Sequence, residues 1–406
     1  MKLDRLLSVA DVERAAARFL PRAVYGFVRG GTEDERTLQA NLQAFDAVRF
    51  RPRGLAGVAQ RSQAVTLWGR RYDSPIGVAP MGVTAICRHD CERALASAAT
   101  EAGLPFVLSG LSTTPMERIR EAAPHFWYQG YLPGDPARIG PLMDRLQHNG
   151  VEVLVVTIDT AVGANRENNQ RAGFTIPFRA SARLVVDGVL HPRWTAQVFL
   201  HTLLKDRGIP RFTNVVADPR GFRITEEPQG GFRQGRDRLD WSHLEWMRAR
   251  WPGRIVLKGV AHPDDARAAV RSGLDGVIVS NHGGRQLDGA EASFDALRAI
   301  VPAVPEGFPV MVDGGFRRGT HVLKAIALGA RLVFLGRPML YGATVAGPRG
   351  VARVIEILKS EIDRDLALLG CRSLDQLDCT YLAMGDDGPR GPSTGPAVAA
   401  DPAAGH

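Results

Sequence analysis

The sequence predicts an α/β chain built as a (β/α)8 barrel, with an N-terminal helical segment and a long insertion after the fourth strand. Three observations carry that reading. From Pro75 to Leu369, eight short apolar runs alternate with eight helical stretches. Each run reads as buried on both faces, the pattern of parallel strands joined by crossover helices. A count of eight suits ring closure better than an open sheet. No G-x-G-x-x-G follows the first run and no G-x-x-x-x-G-K-[ST] occurs, which argues against a dinucleotide sheet or a P-loop.

Residues 1–50 read as helical, with apolar positions at helical spacing from Asp11 to Leu20, a second segment opened by Pro21, and a turn at Arg29-Gly30-Gly31. The alternation then begins. PIGVAP precedes CERALASAATEAG, PFVLS precedes TPMERIREAA, and FWYQGY precedes DPARIGPLMDRLQHNG. VEVLVVTID leads into the insertion and then WSHLEWMRARW. RIVLKGV precedes HPDDARAAVRSG, DGVIVSN precedes EASFDALRAIV, and FPVMVDGG precedes GTHVLKAIALG. RLVFLG is followed by one long helix from about Arg349 to Leu369. The insertion, residues 164–239, is rich in Arg, Pro and Gly and contains HPRWTAQVFLHTLLKDRG. Trp194, Val198, Phe199, Leu200, Leu203 and Leu204 give that stretch a broad apolar stripe, flanked by Arg193, Lys205, Arg207 and Arg211. It suits a lid helix packed on the barrel mouth or an element lying in a membrane interface. Residues 1–382 then form one barrel domain, and the Gly-, Pro- and Ala-rich stretch 383–406 reads as a disordered tail.

Hydrophobic residues make up 45% of the 406, enough for a sizeable core. The net charge of +8 favours an anionic ligand or membrane surface, and only five of the cations are Lys. No basic run is interleaved with aromatics, so nucleic acid is not expected as a partner. Four cysteines do not make a disulfide scaffold. Cys87, His89 and Cys91 lack a second ligand cluster, so they read as a helix start with small buried residues, and no metal is expected. The N-terminus lacks the apolar core of a signal peptide, and no run reaches the ~20 residues of a membrane span. A cytoplasmic protein is expected, with peripheral contact at the inner membrane face through residues 178–236 as an option.

In such a barrel, chemistry sits at the carboxyl ends of the strands. Those ends are Ala79-Pro80, Ser109, Gln129 and Tyr131, Thr157 and Asp159, Lys258, Ser280 and His282, Asp313, and Gly336-Arg337. In VIVSNHGGRQLDGA, a buried run breaks into an imidazole and a guanidinium three residues apart around two glycines. His282 suits a proton acceptor, Asp159 suits its orienting partner, and Arg285 suits bidentate binding of a carboxylate. The loops Asp313–Gly319 and Gly336–Pro338 offer glycines for backbone approach to a phosphate, with Arg317 and Arg337 to neutralise it. Were that phosphate part of a cofactor, Lys258 would set a fixed cation against its ring.

These motifs, with LVVTIDT, IVLKGV, VDGGFRRGTHVLKAIALGARLVFLGRP and GCRSL, resemble the FMN-dependent 2-hydroxy-acid dehydrogenase/oxidase family over roughly residues 5–380. DTAVGANRENNQRAGFTIP is most similar to its mandelate dehydrogenase branch. The resemblance implies FMN held by Ala79, Pro80, Met81, Ser109, Gln129, Thr157, Lys258, Ser280, Asp313, Gly314, Gly315, Arg317, Gly336 and Arg337. It implies His282 and Asp159 as the catalytic pair, and Tyr131, Arg166 and Arg285 as contacts to the substrate. The reaction implied turns a 2-hydroxy acid into a 2-oxo acid and reduces FMN, in a protein that is commonly a homo-oligomer. Two substrate-pocket positions depart from the family pattern. Phe27 stands where the family carries a tyrosine, and Leu111 where glycolate oxidase-like members carry a bulky aromatic. Both favour a larger or aromatic acid. Gly82 leans toward a dehydrogenase that passes electrons to a quinone or another carrier. An oxidase releasing peroxide, or a noncatalytic flavin-binding barrel, are the alternatives.

Overall fold

The computed structural model describes residues 2–175, 177–206, 208–227 and 233–384. Its centre is a ring of eight parallel strands: β1 (Ile76–Val78), β2 (Val107–Ser109), β3 (Trp127–Gly130), β4 (Val153–Thr157), β5 (Arg254–Val260), β6 (Gly276–Val279), β7 (Val310–Asp313) and β8 (Leu332–Leu335). Pairing runs in chain order from β2 to β8, and β8 pairs back onto β1. A single parallel bridge, Val78 to Phe106, closes the ring between β1 and β2. Nearly every strand residue is buried, because the strands face the barrel interior on one side and the helices on the other. The (β/α)8 expectation holds, and each of the eight runs contains a strand.

The crossover helices are α1 (Cys91–Glu101), α2 (Met116–Ala122), α3 (Pro136–His148), α4 (Trp241–Arg250), α5 (Pro263–Arg271), α6 (Ser293–Ile300), α7 (Gly319–Ala327), α8 (Arg337–Ala346) and α9 (Pro348–Leu369). Local chemistry starts several of them. Asp135 caps α3 through the amide of Ala137, and Asp240 forms a capping box with His243 on α4. The last helix expected from about Arg349 to Leu369 is α9, and a further helix not read in the sequence, α8, precedes it. Gly336-Arg337-Pro338, read as loop, opens α8, where a proline is tolerated in the first turn. Gly347, at φ +60°, breaks α8 from α9.

At the N-terminus, helix Val9–Phe19 packs on α8, while Arg22–Arg29 and Arg36–Gln43 reach the carboxyl ends of the strands through Phe27 and Asn41. The helical expectation for residues 1–50 ends early, because Val48–Phe50 pairs antiparallel with Leu382–Met384. Ala383 and Met384 are therefore part of a strand, which corrects the tail boundary; residues 385–406 lie outside the described residues, as does Arg207. A hairpin unread in the sequence, Val65–Leu67 with Arg70–Tyr72, sets Trp68 against Trp127 at 5.4 Å.

The insertion is more regular than its composition suggests. It holds helices Glu167–Ala172 and Ala182–Leu190, a helix from Pro192 to Lys205 that loosens into a π-helical stretch over Thr195–Leu200, and a short hairpin of Arg211–Phe212 with Phe222–Arg223. One side of the 182–205 pair is anchored to the body: Asp187 accepts from the amide of Ala23 at 2.9 Å, Trp194 donates to the Ile86 carbonyl at 2.8 Å, and Val198 and Thr202 are buried. Val185, Val186, Val189, Leu190, Phe199, Leu200 and Leu204 are exposed on the other side.

Candidate active site

Parallel registry brings the polar strand ends to one level, Thr157 opposite Lys258 and Ser109 opposite Gln129. They form two short chains of hydrogen bonds. Ser109 donates to Gln129 at 3.1 Å, and Gln129 donates to Thr157 at 2.8 Å. Lys258 donates to Ser280 at 2.8 Å and pairs with Asp313 at 2.8 Å, while Ser280 donates to Asp313 at 2.6 Å. Burial disfavours a charged lysine, but Asp313 and Asp159 outweigh it and hold the Lys258 pKa above its ordinary value.

His282 follows β6 and has left-handed backbone, φ +58°, an unusual conformation for a residue with a side chain. Ser280 holds it there by accepting the His282 amide at 3.0 Å. Its Nδ1 bonds both Asp159 oxygens, at 3.0 and 3.2 Å, and its Nε2 faces the Tyr131 hydroxyl at 3.5 Å. Burial lowers the imidazole pKa, against the opposing pull of Asp159. Burial alone would raise the Asp159 carboxyl, but His282 and Lys258 bring it below the carboxylate range. The ladder slips between Lys258 and Val260, and Gly259 sits there at φ +100°. A Cβ on Gly259 would stand 2.7 Å from the Asp159 carboxyl carbon, so glycine makes room for the pair.

Around the pair lies a cavity of about 430 Å³. Among the described residues, seven cations line it (Arg166, Arg233, Arg236, Lys258, Arg285, Arg317 and Arg337) against one carboxylate, Asp313, already paired with Lys258. Several of these arginines are fixed by carbonyls. Arg337 donates to Val28, Gly30 and Gly283, and Arg285 donates through Nη1 to Phe27, Val28 and Gly30. Arg166 donates to the Arg285 carbonyl and to Gln286. Burial pushes Arg337 down to about 10 and Arg285 well below the usual guanidinium range. Gly315, at φ +83°, passes so close to Asn41 that a Cβ would meet its carbonyl at 1.9 Å. Fixed guanidinium groups beside a glycine loop suit a phosphate-bearing cofactor and a carboxylate together.

Of the residues singled out in the sequence, His282, Phe27, Leu111, Tyr131, Arg166 and Arg285 line the cavity. So do Ala79, Pro80, Met81, Gln129, Thr157, Lys258, Asp313, Gly314, Gly315, Arg317, Gly336 and Arg337. Asp159, Ser109 and Ser280 stand one hydrogen bond behind it, through His282, Gln129 and Lys258. Phe27 packs on Phe174 at 4.6 Å, with the Arg285 guanidinium carbon 5.1 Å from its ring. Sequence reasoning missed Phe174, Arg233 and Arg236, which belong to the insertion. The one available signal was two arginines in Arg233-Gln234-Gly235-Arg236. It also missed Asn41, whose side-chain amide exchanges two hydrogen bonds with Asn281, at 2.8 and 2.9 Å.

A model of the FMN-dependent dehydrogenase family matches residues 16–384. Among curated proteins, the chain is 38% identical over 382 residues to (S)-mandelate dehydrogenase of Pseudomonas putida, covering 93% of this chain and 94% of that one. It is 34% identical over 385 residues to an L-lactate oxidase of a Nostoc species, covering 93% and 98%. Among solved structures, the monotopic membrane protein (S)-mandelate dehydrogenase superposes with a TM-score of 0.86 at 37% identity, covering 93% of this chain and 99% of that one. Matched over nearly its whole length in sequence and in fold, the chain belongs to the FMN-dependent dehydrogenase family and is an FMN-dependent 2-hydroxy-acid-oxidising enzyme.

Proposed function

We propose that the protein oxidises a 2-hydroxy acid with a bulky or aromatic side chain to the 2-oxo acid, and passes the electrons to a quinone or similar carrier at a membrane surface. The observation that carries this reading is the His282–Asp159 pair, with Nε2 open to a cation-lined cavity. Asp159 holds the Nδ1–H tautomer, which leaves Nε2 as an acceptor. The depressed pKa keeps His282 neutral at pH 7, and once it takes a substrate proton Asp159 stabilises the imidazolium. Tyr131 steadies the substrate oxygen beside Nε2. Arg166 and Arg285 bind the carboxylate.

When bound, FMN supplies the two-electron acceptor for the oxidation. Arg317, Arg337 and the glycines Gly314, Gly315 and Gly336 would hold its phosphate end. Ala79, Pro80, Met81, Gln129, Thr157 and Lys258 would line its ring, with Lys258 as a fixed cation. Ser109, Ser280 and Asp313 keep those groups in place through the hydrogen bonds described above.

The Phe27–Phe174 pair and Leu111 offer apolar contact where a phenol would offer a hydrogen bond. A hydrogen bond to a charged group is worth about 1.5–3 kcal/mol; every acid loses it at Phe27, and only a large apolar one offsets the loss by contact with these side chains. For the acceptor, support comes from the exposed apolar side of 182–205, from the exposed Arg179, Arg183, Arg193 and Lys205 in or beside the same segment, and from the monotopic relative. Among the described residues no helix is long and apolar enough to cross a membrane, so contact would be peripheral.

The test is anaerobic mixing of the FMN-loaded enzyme with a panel of 2-hydroxy acids. Mandelate-type and long-chain acids should bleach the flavin faster than lactate or glycolate. No bleaching by any of them would sink the reading. Near-stoichiometric peroxide in air would instead favour an oxidase, the reading to which the L-lactate oxidase relative lends support.

A further inference from the structure

The reaction proposed above employs five of the seven cavity cations. Arg233 and Arg236 are left over. Arg236 is only 8% exposed, on the turn Arg236–Arg238, and its guanidinium carbon lies 4.6 Å from the centre of the Tyr131 ring. Among the described residues that guanidinium makes no hydrogen bond and no ion pair. Burial brings its pKa down to about 10, and the groups that pull it back up are the phenols Tyr131 and Tyr128 rather than any carboxylate. Arg233, at the cavity rim, adds like charge to both Arg236 and Arg166. A desolvated cation without an anion is costly, and one ring face offsets only part of that.

Its position says what would complete it. The Tyr131 hydroxyl is 3.5 Å from His282 Nε2, so a single phenol ring separates the proton acceptor from Arg236. Tyr131 and Arg236 also wall a second cavity of about 300 Å³, lined by Pro133, Pro141, Leu142 and Val215, with Arg138 as another cation and Asp218, which is paired with Arg220, as its carboxylate. A side chain leaving the reacting carbon along Tyr131 would meet Arg236 with space beyond.

We propose that Arg236 is a second anion anchor, and that the preferred substrate is a 2-hydroxy acid whose side chain carries a second anionic group. This rests on the 2-hydroxy-acid reading of the site. The first carboxylate would remain with Arg166 and Arg285, and the second would neutralise Arg236.

The experiment compares length-matched pairs on the FMN-loaded enzyme: 4-isopropylmandelate with 4-carboxymandelate, and 2-hydroxyhexanoate with 2-hydroxyglutarate. Anaerobic flavin reduction gives rates. Titration of the flavin spectrum with the corresponding 2-oxo acids gives Kd without turnover. Wild type should favour the doubly anionic member of at least one pair by about tenfold to a hundredfold, the range of one charge-assisted hydrogen bond. Arg236→Gln should collapse that ratio toward one in both measurements, and Arg236→Lys should retain part of it. A wild-type ratio near one in both pairs overturns the anchor. So does an unchanged ratio in Arg236→Gln, which would mean Arg236 only steadies Tyr131. If Arg236→Gln fails to hold FMN, the wild-type ratios and Arg236→Lys still decide. Flavin reduction by the neutral acids alone refutes the anchor and leaves the reading of the site standing, whereas no reduction by any acid ends both.

Discussion

At the scale of single residues, the site depends on His282 having one nitrogen committed and one open. The commitment is to Asp159, and the open nitrogen stays unprotonated because burial outweighs the carboxylate's pull. Activity should therefore fall as pH drops through a pKa lying below the usual imidazole value of about 6.5. Asp159→Asn keeps an oxygen for Nδ1–H but removes the charge. We expect flavin reduction to slow by about 10²–10⁴-fold, the usual range for a general base and its support. Because Asp159 raises the His282 pKa, its loss should also move the acid limb to lower pH. A variant with the wild-type pH profile would show that Asp159 does not tune His282. At this scale much was readable beforehand. His282, Arg285 and Asp159 stand beside apolar strand runs, and a side chain at a strand end has few places to point. Arg236 was not readable, because its place follows from a turn packing on Tyr131 across more than a hundred residues of chain.

At the scale of elements, the insertion is the part whose composition misleads. Its arginines and glycines suggest irregular chain, yet it folds into helices with one side anchored on Ala23 and Ile86. The helix from Pro192 to Lys205 has one side for each expectation: Trp194, Val198 and Thr202 pack inward as a lid would, and Phe199, Leu200 and Leu204 are exposed, as a membrane-facing element would require. Burying a leucine side chain is worth about 1.5–3 kcal/mol. The double variant Leu200→Asp/Leu204→Asp should thus weaken partitioning onto vesicles containing anionic lipid by about tenfold or more, while turnover with a soluble acceptor persists. Equal partitioning of the variant and wild type would remove the membrane role. Helix α8 was missed for a related reason. Pro338 reads as a breaker in sequence, but its φ and missing N–H cost nothing in a first helical turn.

At the scale of the whole molecule, acid should loosen the fold. His321 stacks on Phe45 at 4.0 Å, and burial with Lys324, Arg317 and Arg318 nearby lowers its pKa to about 3. Between about 6.5 and that value the unfolded chain holds a proton on this residue and the folded chain does not. Stability from this source is therefore complete above about pH 6.5 and declines as pH falls toward 3. His282, also depressed, acts in the same direction. Urea unfolding followed from pH 8 to pH 4 should give falling midpoints, with a shallower fall in His321→Gln; an unchanged slope would exclude His321 as a source.

The sequence by itself determined the barrel, its strand ends and the glycine loops, because these follow from burial and local backbone chemistry that each short stretch carries within it. Only the tertiary structure decided how the ring closes at Val78 and Phe106, how Asn41 locks the N-terminal helices onto Asn281, and which insertion residues reach the cavity. Those contacts join stretches far apart in the chain, where no periodicity links one partner to the other. Their geometry exists only after the eight strands have fixed the distances between them.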